Sequence, residues 1–109
     1  MTRGRTIGLV AVGLAVALTA MAVAQERDAR IAEGKELFTA HGCYGCHLVE
    51  KYGTPIGPEL SKIGGKRGQA DLERWLADPA SQKPTAHMPR IQLALAEIRA
   101  LAAYLASLR

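Results

Sequence analysis

The sequence predicts a small all-α domain with a high proportion of loop. Three segments, residues 27–40, 69–77 and 94–108, carry apolar residues three and four apart, which is the spacing of one helix face. No segment alternates apolar and polar residues as a half-buried strand does. Glycine and proline are concentrated between the helical segments and indicate long turns. A length of 109 residues excludes a multidomain enzyme.

The N-terminal segment has the layout of a secretory signal peptide. Arg3 and Arg5 precede an uncharged run, residues 7–24, which ends in the small-x-small sequence Ala-Val-Ala. We therefore expect residues 1–24 to be cleaved on export, which predicts a periplasmic protein. The alternative is an uncleaved membrane anchor, because about 18 uncharged residues are at the lower limit of what spans a bilayer. Ala, Gly and Thr dominate the run, and this favours cleavage.

The remaining domain, residues 25–109, has a net charge of +2, because losing Arg3 and Arg5 removes two charges from the +4 of the whole chain. Its basic residues are too dilute to predict nucleic-acid binding. Membrane contact is expected only if the N-terminal segment is uncleaved. With one Phe, one Trp and three Tyr, the domain buries a thin core. We expect a large apolar cofactor to complete that core.

The first helix of the domain is predicted at residues 27–40. Its apolar face includes Ile31 and Phe38, and the helix stops at Gly42. Residues 51–68 are rich in glycine and proline and predict a long loop. Loops of this length in a small domain are usually functional.

The second helix is predicted at residues 69–77, where Leu72, Trp75 and Leu76 share a face. Asp78-Pro79 ends it, because the residue before a proline disfavours helical geometry. The last helix, residues 94–108, has the strongest pattern. Its apolar residues recur three and four apart at Ile98, Leu101, Leu105 and Leu108.

The start of the last helix lacks a good cap. Leu93 and Ala94 stand where Ser, Thr or Asp is preferred, because such a side chain accepts hydrogen bonds from free backbone N–H groups. We therefore expect a weakly capped N-terminus.

Both cysteines of the chain lie in one motif, Cys43-Tyr44-Gly45-Cys46-His47. The C-x-x-C-H spacing is typical of c-type haem attachment. Two thiols three residues apart can reach both vinyl groups of a haem, and the following imidazole can present a nitrogen to the iron. Cys43 and Cys46 are thus predicted to be the thioether anchors of one covalently attached haem c, and His47 is predicted to be the proximal iron ligand.

Three other kinds of site use closely spaced cysteines. A thioredoxin-like dithiol requires a βαβ framework, which the sequence does not predict. A structural disulfide between Cys43 and Cys46 would close a short loop and stabilise little. A zinc site would need two further ligands, for which His41 and His87 are the candidates.

A second iron ligand is expected from a distant part of the chain. Met88 is the only methionine in residues 25–109 and lies in the irregular segment 81–90, 41 residues after His47. A lone methionine is more often core filler, but its place outside the helices favours a ligand. We predict that Met88 binds the iron, with His87 as the alternative, because haem iron accepts a thioether or an imidazole.

Five short segments, taken in order, resemble the class I cytochromes c, in particular the small bacterial periplasmic type. They are Gly34-Lys35-Glu36-Leu37-Phe38, Gly42-Cys43-Tyr44-Gly45-Cys46-His47, Gly57-Pro58-Glu59-Leu60, Met88-Pro89 and Leu101-Ala102-Ala103-Tyr104-Leu105. The resemblance implies a cytochrome c fold, in which three to four short helices and long loops wrap around the haem. It also implies that the first and last helices cross, with Gly34, Phe38, Leu101 and Tyr104 at the contact.

The resemblance implies further contacts with the haem. The Pro58 carbonyl would accept the other imidazole N–H of His47, and Leu60 would pack on the ring. Trp75 would donate its N–H to a propionate, although a plain core role is an equal alternative. His41 matches no ligand position and is expected to be exposed.

These observations predict an exported electron-transfer protein rather than an enzyme. It would shuttle single electrons from an oxidoreductase donor to an oxidase or reductase acceptor. Exposed lysines near the haem, among them Lys51, Lys62, Lys66 and Lys83, would steer docking to acidic partners. Two alternatives remain: a haem c subunit of a larger oxidoreductase complex, and an open-site haem protein that binds a small ligand.

Overall fold

The computed structural model describes residues 2–109, so the first residue of the predicted signal peptide lies outside the described part. Four α-helices make up most of this part: α1 (Thr2–Ala40), α2 (Gln69–Ala77), α3 (Pro79–Gln82) and α4 (Leu95–Ser107). A small antiparallel hairpin follows α1, formed by β1 (Leu48–Val49) and β2 (Tyr52–Gly53). Two single 3-10 turns lie at Cys43–Gly45 and Ile63–Gly65. The fold is all-α, as the sequence predicted.

Helix α1 extends much further than the sequence predicted. It runs without a break from Thr2 to Ala40, whereas the pattern predicted a start near Arg27. The alanine-rich N-terminal segment itself favours helix, and no proline separates it from the domain. Within residues 3–40, an 18-residue window has a mean hydropathy of 2.4 and is fully exposed. This helix is long and apolar enough to cross a membrane, a property that signal sequences share with anchors.

The C-terminal part of α1 crosses α4, and the crossing forms the centre of the core. A Cβ on Gly34 would overlap the carbonyl oxygen of Ala100 and lie 2.7 Å from Tyr104 Cβ. Only glycine allows the two backbones to approach this closely. Phe38 and Leu101, 2% and 1% exposed, fill the space beside the crossing. The crossing and its four contact residues agree with the resemblance.

Helix α2 packs on α4 and has the predicted bounds, residues 69–77. Its buried face is formed by Leu72 and Leu76. The chain turns to an extended conformation at Asp78, where φ is −163°. Pro79 then begins the short helix α3, since proline fits the first position of a helix. This turn of helix occupies the start of the segment predicted to be irregular.

The long loop between β2 and α2 is irregular, as predicted, but the hairpin before it was missed. Its strands have two residues each, which is too short to show alternation. The connection is Glu50-Lys51, and Glu50 adopts a left-handed conformation with a φ of 55°. In β2, Gly53 has a φ of 110°, and a Cβ there would overlap the carbonyl oxygen of His47. The hairpin therefore packs directly beneath the C-x-x-C-H motif.

Candidate functional site

A cavity of about 550 Å³ lies between the C-x-x-C-H turn, α2 and α4. Its volume falls within the roughly 300–1,000 Å³ of pockets that hold small molecules and cofactors. Most of its wall is apolar and comes from the core helices, for example Phe38, Leu72 and Leu101. Six of the seven residues singled out from the sequence line it: Cys43, His47, Pro58, Leu60, Trp75 and Met88. The seventh, Cys46, is exposed.

The 3-10 turn of the motif orients its two cysteines differently. Gly42 begins the turn in a left-handed conformation, and the N–H of His47 donates to the carbonyl of Cys43 at 3.0 Å. Cys43 is half-buried in the cavity wall, and burial raises the pKa of its thiol above the ordinary value. Cys46 faces solvent, and the two cysteines do not pair with each other in a disulfide. One predicted anchor therefore lines the cavity, and the other lies on the protein surface.

The imidazole of His47 is held by one hydrogen bond. Its Nδ1 lies 2.7 Å from the carbonyl oxygen of Pro58. Because a carbonyl only accepts, Nδ1 carries the proton, and Nε2 of the neutral ring keeps its lone pair for a metal. A Cβ on Gly57 would stand 2.7 Å from His47 Cε1, so glycine is needed for the Pro58 segment to pass this close.

The Pro58 segment is in turn tied to the hairpin. The N–H of Leu60 donates to the carbonyl of Leu48 at 2.8 Å. Ser61 joins two acidic residues, since its hydroxyl accepts from the N–H of Glu50 and its own N–H donates to Glu59 at 2.8 Å. Hydrogen bonds from Ser61 lower the pKa of Glu59. The sequence did not indicate this role of Ser61, because Glu50 is 11 residues away and no local pattern links them.

On another wall of the cavity, Trp75 and Met88 contact each other. The indole Nε1 of Trp75 lies 3.1 Å from the Met88 sulfur and donates to it. This was not anticipated, since the sequence and the resemblance offered only a propionate contact or a core role for Trp75. Met88 is half-buried, whereas His87, the alternative ligand, is exposed and does not line the cavity.

The polar side chains of the cavity lie around α2 and α3. They are Arg67, Asp71, Gln82 and Lys83. Lys83 and Arg67 place positive charge where carboxylates of a bound group could be neutralised, while Asp71 pairs with Arg74 on the same helix. His41, expected to be exposed, is instead half-buried and hydrogen-bonded to Glu97, 3.0 Å away. Among residues 2–109, no three His, Cys, Asp or Glu side chains cluster as metal ligands.

Behind the cavity wall lies an aromatic cluster that includes the second residue of the motif. Phe38 contacts the rings of Tyr44 and Tyr104 edge-on, with centroids 4.8 and 5.7 Å apart. Burial raises the pKa of Tyr104 to about 12. No role was predicted for Tyr44, because the cluster forms only where α4 brings Tyr104 against the end of α1.

The chain is similar to one known family over most of its length. A profile of cytochrome c matches residues 31–109. The chain belongs to the cytochrome c family. Proteins of this family bind haem c covalently through a cysteine pair, so the predicted cofactor and fold are confirmed, and Cys43 and Cys46 fit the attachment motif.

The residues of this cytochrome c also fit the group chemically. The cavity is large and mainly apolar, and the hydrogen bond from Nδ1 of His47 to the Pro58 carbonyl leaves Nε2 free. Imidazole and thioether are both ligands that haem iron accepts.

One curated relative matches most of the chain. It is named cytochrome c oxidase subunit 2, comes from Alkalihalophilus pseudofirmus, and is 33% identical over 86 residues, which cover 71% of this chain and 25% of the relative. This cytochrome c therefore spans about a quarter of the length of that relative.

Proposed function

We propose that this cytochrome c carries single electrons between larger redox proteins, with His47 and Met88 as the two protein ligands of the haem iron. Cytochrome c domains perform haem-based electron transfer, which implies redox protein partners. The observation that supports the finer assignment is that His47 and Met88 line the same cavity. Each side chain makes one hydrogen bond and still has an electron lone pair available for iron, on Nε2 of His47 and on the sulfur of Met88.

The bound haem supplies a one-electron iron couple, and the protein sets its surroundings. The Cys43 and Cys46 thiols anchor it, and the Pro58 carbonyl orients the His47 imidazole and makes it a stronger donor. The thioether of Met88 is a neutral ligand that favours the ferrous state and raises the reduction potential. Apolar side chains such as Leu72 and Leu101 keep water away from the iron.

A carrier role without catalysis is part of the proposal. Two protein ligands leave the iron no open position for a substrate. The histidines that could serve as an acid or base are placed elsewhere: His41 bonds Glu97, and His87 is exposed.

The test is an optical spectrum of the protein matured in a host that attaches haem, recorded in both oxidation states. We expect the weak long-wavelength charge-transfer band from methionine sulfur to ferric iron. Met88→Ala is expected to lose that band and to bind CO, whereas the matched control His87→Ala keeps the band. If the unmodified protein lacks the band and binds CO, the open-site alternative replaces the carrier proposal.

A second candidate is a haem c subunit of a larger oxidoreductase complex. It is favoured by the relative named as an oxidase subunit, of which this chain covers 25%. Isolation from native membranes under mild detergent separates the two: stable copurification with a larger partner supports the subunit, and a lone haem protein supports the free carrier.

For the location, we propose export, with residues 1–24 removed. The apolar part of α1 is compatible with a signal peptide and with an anchor. Intact mass after export distinguishes them, since cleavage gives a chain beginning at Gln25 plus haem, and an anchor retains the segment.

A further inference from the structure

Glu97 contacts two segments that lead to the two proposed iron ligands. One of its carboxylate oxygens accepts the backbone N–H of Ala94 at 3.0 Å, and the other lies 3.0 Å from Nε2 of His41. His41 lies six residues before His47 in the chain. Ala94 lies six residues after Met88. One side chain therefore joins the approach to the cysteine motif with the segment that follows the methionine.

The contact between Glu97 and His41 is a directed hydrogen bond in a part-buried setting. An ionised carboxylate only accepts, so Nε2 of the imidazole carries the donated proton. The backbone on both sides is regular. The N–H of His41 continues the end of α1 by donating to the carbonyl of Leu37 at 2.9 Å, and Glu97 lies in the first turn of α4. Two packed helices thus hold the two partners.

The segment after Met88 has few other ties to the fold. Among the described residues, no backbone hydrogen bond holds residues 89–93. One side chain of this segment, Leu93, packs against the core. Within the described part of the chain, the N–H of Ala94 is therefore the first backbone group after Met88 that makes a hydrogen bond, and its partner is Glu97.

We propose that Glu97 is a positioning residue that keeps Met88 on the haem iron by tying the methionine segment to His41. This inference rests on the proposed function, because it requires Met88 to bind the iron. When Met88 leaves the iron, the segment after it must move, and the hydrogen bond at Ala94 limits that movement. The bond from His41 in turn holds the carboxylate of Glu97 in place.

The strength of this link sets how large a fraction of the molecules has Met88 off the iron. An external ligand such as imidazole binds the iron only in that fraction, so its apparent affinity rises in proportion to it. The net contribution of one hydrogen bond corresponds to about three- to tenfold in such an equilibrium. Loss of either partner of the link is therefore expected to raise the affinity for imidazole.

The experiment titrates the haem-loaded ferric protein with imidazole, and the methionine-to-iron charge-transfer band reports bound Met88. We expect His41→Leu and Glu97→Ala to show the band and to bind imidazole about three- to tenfold more tightly than the unmodified protein. The double variant should bind imidazole no more tightly than Glu97→Ala, because both changes break the same link. His41→Leu leaves the cap at Ala94 in place, so it covers the case in which Glu97→Ala folds poorly.

Two further variants separate the link from stability in general. His41→Gln keeps an N–H donor at a similar reach, so it should bind imidazole nearly as the unmodified protein does. Ile98→Val is the matched control, since Ile98 is buried on the same helix and does not line the cavity. Loss of its methyl group destabilises the packing of α4 without breaking the link, so the affinity for imidazole should stay unchanged.

The outcomes separate this inference from the function on which it depends. If the unmodified protein shows the band but His41→Leu and Glu97→Ala bind imidazole no more tightly, the inference is wrong and Met88 ligation stands. A gain in Ile98→Val or His41→Gln equal to that in His41→Leu would also overturn the inference, because the donated hydrogen bond would not be the cause. If the unmodified protein lacks the band, Met88 ligation is wrong and the inference fails with it.

Discussion

His41 and Glu97 lie 56 residues apart in the chain and 3.0 Å apart in the structure. Nε2 of His41, just after α1, contacts a carboxylate oxygen of Glu97 in the first turn of α4. The other oxygen accepts the backbone N–H of Ala94 at 3.0 Å and caps that helix. Glu97 therefore joins the start of α4 to the segment that leads into Cys43.

The pH dependence of stability should reveal this link. The hydrogen bond from Ala94, and then that from His41, lowers the pKa of Glu97 below its ordinary value. A lowered pKa means that the stabilisation is present above about pH 4.5 and is lost as the pH falls further. We expect Glu97→Gln to lower the denaturant midpoint at pH 7 and to have little effect at pH 3. The exposed Glu36→Gln is the control, and an equal loss at both pH values would contradict the assignment.

The close crossing of α1 and α4 predicts that one added methyl group at Gly34 lowers the stability of the fold. Gly34→Ala would drive a Cβ into the Ala100 carbonyl, which is backbone and cannot move aside as a side-chain tip can. Overpacking of this kind costs about 1–3 kcal/mol, more than the gain of up to about 1 kcal/mol in helix propensity. We expect a lower thermal midpoint, measured by circular dichroism. Gly65→Ala meets no atom within 4 Å, and it should show a much smaller change.

The sequence revealed what is encoded locally. Helix α2 has the predicted bounds because its stop, Asp78-Pro79, follows directly on its apolar face. Helix α4 lies within one residue of its predicted ends because its apolar residues recur three and four apart along its length. The cysteine motif needs only five consecutive residues. These features depend on neighbours in the chain, so local physical chemistry predicts them.

Pairs that meet across the fold were not predictable in this way. His41 has no local partner that indicates Glu97, and Trp75 offers an N–H without saying which acceptor receives it. The cap of α4 was expected to be weak because Ala94 has no side chain that can accept a hydrogen bond, whereas the carboxylate that caps the helix lies three residues later. Glu97 at that position was the available signal.

Tyr104, in the aromatic cluster, is expected to lose its proton at a higher pH than an ordinary tyrosine. Burial raises the pKa of Tyr104 to about 12, with smaller contributions from Tyr44 and Glu50. The neutral phenol is the form that the fold favours, so its stabilisation is complete below pH 10 and is lost as the pH rises through about 12. Tyrosinate absorbance should show one late step that Tyr104→Phe removes, and this variant should unfold at a higher pH than the parent. If the late step persists in Tyr104→Phe, it belongs to another group and the assignment is wrong. The control is Tyr52→Phe, at an exposed side chain, which should retain the late step.

Gly57→Ala tests whether the bond between His47 and Pro58 sets the haem potential. The new Cβ would stand 2.7 Å from His47 Cε1 and 3.0 Å from Nδ1, so it forces the imidazole away from the carbonyl. A weaker hydrogen bond makes the imidazole a poorer donor, which favours ferrous iron and raises the potential. Voltammetry measures the shift, and the His47 ring N–H signal in the ferrous protein reports the bond itself. Gly45→Ala lies within the same motif and meets no atom within 4 Å, so it is the matched control. Equal potentials in the two glycine variants would show that the approach of Pro58 does not tune the iron.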